Sequence, residues 1–306
     1  MGATATGKTE LALEIAKNFD VEIISVDSAL VYRDMDIGTA KPSASVRRQV
    51  PHHLIDILDP AAAYSAWDFV QQSRSLAAEI SARGHIPLLT GGSMLYFQAF
   101  EHGLNRLPAA DAALRLRLDR EARQLGWPQM HQKLAAIDAE SARRIEPTDA
   151  QRIQRALEVF EISGEPLSRL QQQAAAGYGG GIGKIILAVN DRAALHQRIE
   201  ARFLQMLEQG LVDEVARLQQ RAELNLSLPS MRCVGYRQVW QYLAGELSRR
   251  QMVAKSIAAT RQLAKRQITW LRKQPQKGSF DCLNYRKDAI FREIETAFTR
   301  ALPERF

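Results

Sequence analysis

Residues 1–9 of the chain, MGATATGKT, have the types and spacing to hold phosphate. Gly2, Gly7, Lys8 and Thr9 fit G-x-x-x-x-G-K-[ST], in which backbone N–H groups wrap phosphate oxygens, the lysine neutralises outer oxygens and the hydroxyl holds Mg²⁺. Ala3, Thr4, Ala5 and Thr6 complete the loop, and the two glycines let the backbone turn tightly and approach an anion closely. A second chemical group is Asp27, at the end of the apolar run VEIISV, where a carboxylate can hold Mg²⁺ or accept a proton. A helix N-cap is its alternative role, which Ser28 could fill equally well. The third is Gly91-Gly92-Ser93 after IPLLT. A P-loop ATPase of the usual kind carries a metal-holding carboxylate there, whereas this chain offers a backbone cradle and a hydroxyl, so Ser93 reads as a hydrogen-bonding group over a substrate. His52 and His53 are strand neighbours that point to opposite faces and cannot easily share a metal. Cys233 and Cys282 are too few for a zinc site or a disulfide framework.

These groups need elements to position them. A helix is expected over 9–17, with its positive end on the phosphate loop. Strands are expected over 21–26, 51–58 and 86–90, and helices over 64–83, capped by Ser65 and Asp68 and closed by Gly84, and over 94–100, apolar and buried. The polar, Gly- and Pro-punctuated segment 27–42 between them reads as a site loop. This alternation predicts an α/β fold, a P-loop NTPase-like and mostly parallel sheet with helices on both faces. From residue 108 the character changes to helical patterns over 111–125, 128–137, 139–145 and 149–163, an all-helical insertion domain. The glycine-rich stretch 174–183 reads as a flexible return linker, and 184–189 as the next core strand. The expected domains are therefore 1–107, the first part of the P-loop core; 108–183, the insertion; and 184–306, the second part of the core. A P-loop normally follows a buried strand, and here nothing precedes Met1. The expectation is a shortened form whose native chain has roughly ten more residues upstream, including an apolar run of about 4–8, and whose Gly2 and Ala3 are left loosely held.

With 306 residues, 46% of them hydrophobic, the chain can bury a sizeable core. No apolar run is long enough to span a membrane and no signal peptide is evident, so a cytoplasmic monomer is expected. The net charge of +7 is unevenly spread: residues 181–306 hold 22 Lys+Arg against 12 Asp+Glu, and 249–277 carry nine basic residues and no acidic one. Such a field suits a polyanion, although a solvated basic face is the alternative. Arg115 and the run Gln151, Arg152, Ile153, Gln154 and Arg155 offer polar groups to a ligand, or serve as surface residues. Two other functions use the same loop: a small-molecule or nucleotide kinase, and a non-catalytic, ATP-binding RNA-binding protein.

Taken together, residues 2–9, 27–30, 35–42, 91–93, 149–163, 232–237 (RCVGYR) and 265–272 (KRQITWLR) resemble the tRNA dimethylallyltransferase family, over nearly the whole chain. The resemblance implies transfer of a dimethylallyl group from its diphosphate to the exocyclic amine of the adenosine 3′ of the anticodon. It makes residues 2–9 the diphosphate or nucleotide loop, Asp27 the general base, Ser93 and Lys8 its catalytic companions, and Thr9 the Mg²⁺ ligand. It further places on the anticodon arm Asp27, Ser28, Ala29, Leu30, Ser93, Arg115, residues 151–155, the group Arg232, Cys233, Val234, Gly235, Tyr236 and Arg237, and the group Lys265, Arg266, Gln267, Ile268, Thr269, Trp270, Leu271 and Arg272. Ser93 stands where the family usually has threonine, keeping the hydroxyl but losing the methyl that restricts its rotamer.

Overall fold

The computed structural model describes residues 1–172, 177–179, 181–275 and 278–301. Among these, the elements follow in the order α1 (Lys8–Ala16), β1 (Val21–Val26), α2 (Ala44–Gln49), β2 (His52–His53), α3 (Ala66–Ala82), β3 (Ile86–Gly91), α4 (Met94–His102), α5 (Ala112–Leu125), α6 (Trp127–Ile137), α7 (Ala139–Arg144), α8 (Ala150–Ser163), α9 (Leu167–Gln172), β4 (Ile186–Ala188), α10 (Arg192–Glu208), α11 (Leu211–Gln219), α12 (Tyr236–Leu243), α13 (Arg249–Leu271), β5 (Ser279–Asp281) and α14 (Lys287–Ala301). They form two compact units, one of residues 1–101 with 178–306 and one of residues 102–177. Part of the expected linker at 174–183 lies outside the described residues.

All strand pairs of the larger unit are parallel: β1 lies between β2 and β3, and β4 pairs with β5. Every residue of β1 is buried, as a β-branched central strand requires. Helices α1 and α3 both pack against β1 and β3. The expected strand over 51–58 stops after His53, because Leu54 and Asp56 take left-handed backbone with φ of 60° and 57°. Leu58 returns to pair with Tyr32 as an isolated parallel bridge. The start of the chain is not loose. The Met1 amino group donates to the Ile185 carbonyl at 2.7 Å, Leu187 N donates to the Met1 carbonyl at 2.8 Å, and Ala3 is fully buried. Backbone pairing with β4 supplies the fixation that the sequence pattern did not. The apolar residues of helix α4 are buried apart from Leu95, which is 57% exposed. No helix among the described residues is long and apolar enough to cross a membrane.

The smaller unit is helical throughout, its core built from Leu118, Met130, Leu134, Ile153 and Val159. Helix α9 joins the four helices legible in the sequence.

The charged side chain of Glu22 is buried in β1. It accepts from Arg83 (2.9 Å), from His53 Nε2 (2.7 Å) and from His85 Nδ1 (2.9 Å). Burial alone would raise its pKa, but these donors outweigh it and pull the carboxyl down to about 2. A depressed folded-state pKa contributes stability that is present above the unfolded value and lost as the pH falls from there through about 2. Glu22→Gln should therefore destabilise the protein at neutral pH and flatten the fall in unfolding free energy between about pH 4.5 and 2, up to about 3 kcal/mol in the parent chain. Denaturant melts across that range check it. An unchanged slope would remove the assignment.

Candidate active site

Strands β1 and β3 run in register with Val26 opposite Gly91, so the segments leaving them start at one level. The Val26 carbonyl accepts from Gly92 N at 3.2 Å and Ser93 N at 3.1 Å. A Cβ on Gly91 would lie 2.0 Å from the Val26 oxygen, which is why glycine ends this strand. Asp27 follows Val26 directly. Its Oδ1 accepts from Ala29 N at 2.8 Å, and Ser28 N donates to Ser93 Oγ at 3.1 Å. The carboxylate and the hydroxyl are thus fastened to one strand-end junction, with the Ser93 proton still free to donate.

Helix α13 ties the phosphate loop to the same junction. Gln267, buried, accepts from Thr4 N at 2.9 Å through Oε1 and donates through Nε2 to the Gly92 carbonyl at 2.8 Å. Inside the loop, the Thr6 hydroxyl and Lys8 Nζ both donate to the Ala3 carbonyl, at 2.8 and 2.6 Å. Ala5 and Gly7 take left-handed backbone with φ of 62° and 83°. Such alternation turns successive N–H groups to one side and builds an anion-binding concavity. Gly7 is also the N-cap of α1 and offers no side-chain acceptor, so the first amides of α1 are left for a ligand.

A cavity of about 740 Å³ opens over the junction. Thr4, Ala5, Asp27, Ser28, Ala29, Gly92 and Ser93 form one wall, and Gly38 and Thr39 another. Helix α10 contributes Ile199, Arg202, Phe203 and Met206, and α13 contributes Thr260, Leu263, Arg266, Gln267 and Trp270. Residues 232–236 close the remaining side, next to Leu211 and Tyr96. Its electrostatics favour an anion. Burial pushes the Lys8 ammonium down to about 8, Asp27 opposing this and Arg202 adding to it. Burial likewise lowers the Arg202 pKa, against the pull of Asp27 and Glu10, and among the described residues Arg202 makes neither a salt bridge nor a hydrogen bond. The Cys233 thiol is pushed up to about 12 by burial and then Asp27, which leaves it protonated and inert.

The cavity brings together many of the expected residues: Thr4, Ala5, Asp27, Ser28, Ala29, Ser93, the segment 232–236, Arg266, Gln267 and Trp270. Others it does not. Ile268 and Leu271 face inward and are buried, so they hold α13 in place rather than meeting a macromolecule, while Lys265, Thr269 and Arg272 are exposed outside the cavity. Tyr236 is 1% exposed and reaches only the cavity. In the helical unit, Ile153 is fully buried, Gln154 donates to the Arg115 carbonyl and to Asp119, and Arg115 and Arg155 both pair with Glu158. Those three polar side chains brace their own unit, and Gln151 and Arg152 remain exposed. Arg202 was not legible in the sequence, because nothing in RAALHQRIEARFLQMLE separates an arginine that faces a cavity from a surface one.

Lys8 must be protonated to pair with a diphosphate, so its contribution is complete well below pH 8 and falls as the pH rises through that value. Titration calorimetry with inorganic diphosphate between pH 7 and 9.5 should show affinity falling by up to about tenfold per unit above pH 8, in excess of the slope seen for Lys8→Ala. Equal slopes would exclude Lys8 as the titrating group.

A family model described as IPP transferase matches residues 30–274, and a second, isopentenyl transferase, matches residues 1–53. The "tRNA dimethylallyltransferase" of Janthinobacterium sp. (strain Marseille) is 56% identical over 304 residues, 98% of this chain and 97% of that protein. The protein of the same name from Alkalilimnicola ehrlichii is 58% identical over 274 residues, covering 90% and 86%. The crystal structure of the tRNA delta(2)-isopentenylpyrophosphate transferase of Staphylococcus epidermidis superposes with a TM-score of 0.68 at 33% identity, over 98% of this chain and 97% of that one. With a strand-end carboxylate, a phosphate loop and a matching model over most of its length, the chain belongs to the IPP transferase family.

Proposed function

We infer that this protein transfers a dimethylallyl group from dimethylallyl diphosphate to the N6 amine of the adenosine 3′-adjacent to the anticodon in tRNA, releasing diphosphate. The observation that carries this reading is the joint anchoring of Asp27 and Ser93 at one junction, facing a cavity shared with the phosphate loop and Arg202. Relatives that bear the name tRNA dimethylallyltransferase over nearly their whole length support it. A kinase reading has less behind it, since β3 runs out into Gly92 and the Ser93 hydroxyl where that chemistry wants a carboxylate on the metal. The reaction belongs to the cytoplasm, where its tRNA substrate is met.

An adenine exocyclic amine is a poor nucleophile, because its lone pair is delocalised into the ring. As N6 attacks C1 of the allyl chain, the C1–O bond breaks and its electron pair leaves with the diphosphate. Asp27 takes the N6 proton as the new bond forms, and the Ser93 hydroxyl donates to the amine nitrogen or a diphosphate oxygen and orients it. Charge developing on the leaving group meets the loop amides, Lys8 and Arg202. The exposed Thr9 hydroxyl makes no hydrogen bond among the described residues and would hold Mg²⁺, which supplies further positive charge to the diphosphate when bound. The target base leaves its stack to enter the cavity, whose apolar side chains, Leu263, Phe203 and Met206 among them, keep water from the allylic diphosphate. The exposed basic face of α13 takes the anticodon arm, with Arg232 and Arg237 beside the segment 233–236, Leu30 beside Ala29, and Gln151 and Arg152 on the helical unit.

Incubation with labelled dimethylallyl diphosphate, Mg²⁺ and unmodified tRNA tests the reading, and phosphoryl transfer to a small acceptor instead would replace it. Asp27→Asn should lower turnover by roughly 10²–10⁴-fold while tRNA binding survives. Ser93→Ala should be harmful and Ser93→Thr mild. Near-normal turnover in Asp27→Asn would sink the base assignment.

Phosphate contacts are additive and depend on salt. Neutralising Lys265 or Arg272 should each flatten the dependence of log affinity for tRNA on log salt by up to about one unit. If filter-binding slopes stay the same in both variants, the tRNA lies elsewhere.

A further inference from the structure

Glu214 of α11 is 3% exposed, and among the described residues it has no cationic partner. Its Oε2 accepts from Asp36 N at 3.0 Å and Ile37 N at 2.8 Å. Its Oε1 accepts from Gly38 N at 3.2 Å and from the Tyr236 hydroxyl at 2.5 Å. Four donors fill the acceptor capacity of a carboxylate. A buried charge met only by neutral donors is a costly choice if packing is all that is needed, because an apolar side chain of similar volume would serve as well or better. What an apolar side chain cannot do is hold three successive backbone N–H groups and a hydroxyl at one point.

Those groups belong to two walls of the cavity. Gly38 and Thr39 line it from the 36–39 turn and Tyr236 lines it from the start of α12. The Tyr236 ring is pressed onto the turn: a Cβ on Gly38 would lie 2.5 Å from its Cε2 and 2.9 Å from Leu211 Cδ1. The far end of the turn is strapped down as well, by Lys41, which donates to the Tyr32 carbonyl at 2.9 Å and to Asp36 and Asp56. The Tyr236 hydroxyl spends its proton on Glu214, and the ring, 1% exposed, backs the 36–38 turn from behind. None of the four bonds reaches residues 2–9, whose anchor is Gln267 on a different helix.

We propose that Glu214 is a positioning residue for the acceptor nucleotide: it holds the 36–38 turn and the Tyr236 ring as one rigid wall, against which the extruded purine packs by its face. This rests on the tRNA-modifying reading given above. The diphosphate end of the cavity is held independently, so the two substrates should respond differently to a change at Glu214.

The test uses the full chain and its Glu214→Gln, Tyr236→Phe and Tyr236→Leu variants. It compares kcat and KM for tRNA with the affinity for inorganic diphosphate measured without tRNA. Glu214→Gln turns an N–H₂ group towards N–H donors and should lower kcat/KM for tRNA by up to about 10²-fold, as a wall displaced by about 1 Å does, with diphosphate affinity within about twofold. Tyr236→Phe keeps the ring and should fall less than Tyr236→Leu, a comparison that stands even if Glu214→Gln fails to fold. Equal loss of tRNA and diphosphate binding, no loss at all in Glu214→Gln, or a leucine variant as active as the phenylalanine one would each overturn the proposal. If the parent chain itself transfers nothing to tRNA, the underlying reading fails, and the proposal with it. A parent that transfers beside an unaffected Glu214→Gln variant removes the proposal alone.

Discussion

The site depends on one buried amide. Gln267 offers an acceptor to Thr4 N and a donor to the Gly92 carbonyl, and it does so from inside α13. Of the long side chains, glutamate lacks the donor, and lysine and arginine lack the acceptor. Among the described residues neither backbone group has another hydrogen-bond partner, and a buried polar group left unpaired costs about 1–3 kcal/mol. One side chain therefore sets the separation between the 2–9 loop and the turn that carries Ser93. Since Ser93 is bonded to Ser28 beside Asp27, the proposed base is placed by the same chain of contacts.

Charge inside the cavity follows from what this scaffold buries. Lys8 and Arg202 are both held below their ordinary pKa by burial, opposed by Asp27 for both and by Glu10 as well for Arg202. Desolvating these cations is unfavourable in the free protein. An anion with more than one negative charge would offset that cost, which is the physical support for the proposed diphosphate site.

Much of this was legible in residue types and much was not. The phosphate loop, the strand ending at Asp27 and the Gly91-Gly92-Ser93 turn stand out because steric and hydrogen-bonding demands restrict each to a few residues. The capping box at Ser65 and Asp68 was readable for the same reason. Leu54 was not, because a left-handed leucine is a choice made by tertiary contacts against local preference. Nor were Arg202 and Glu214, whose roles depend on which face of α10 and α11 turns inward, a matter settled by packing across the fold. Gln267 sat in a recognisable basic segment and was assigned outward with its neighbours, although every third or fourth residue of a helix must turn back to the core.

Counting basic residues misleads until their partners are known. In the helical unit Arg115 and Arg155 neutralise Glu158, Arg117 meets Glu161, Lys133 meets Glu121, and Arg144, Arg152 and Arg169 each have a carboxylate three or four residues earlier in the chain. An arginine already paired gains little from a phosphate, because the carboxylate it would leave must then be resolvated. On α13, by contrast, Arg261 has Glu200, while Lys265, Arg266 and Arg272 have no salt bridge among the described residues. Release of counterions on binding a polyanion comes from cations whose charge is not already met. The positive field of this chain therefore concentrates on the outer face of the helix whose inner face, through Gln267, fixes the phosphate loop.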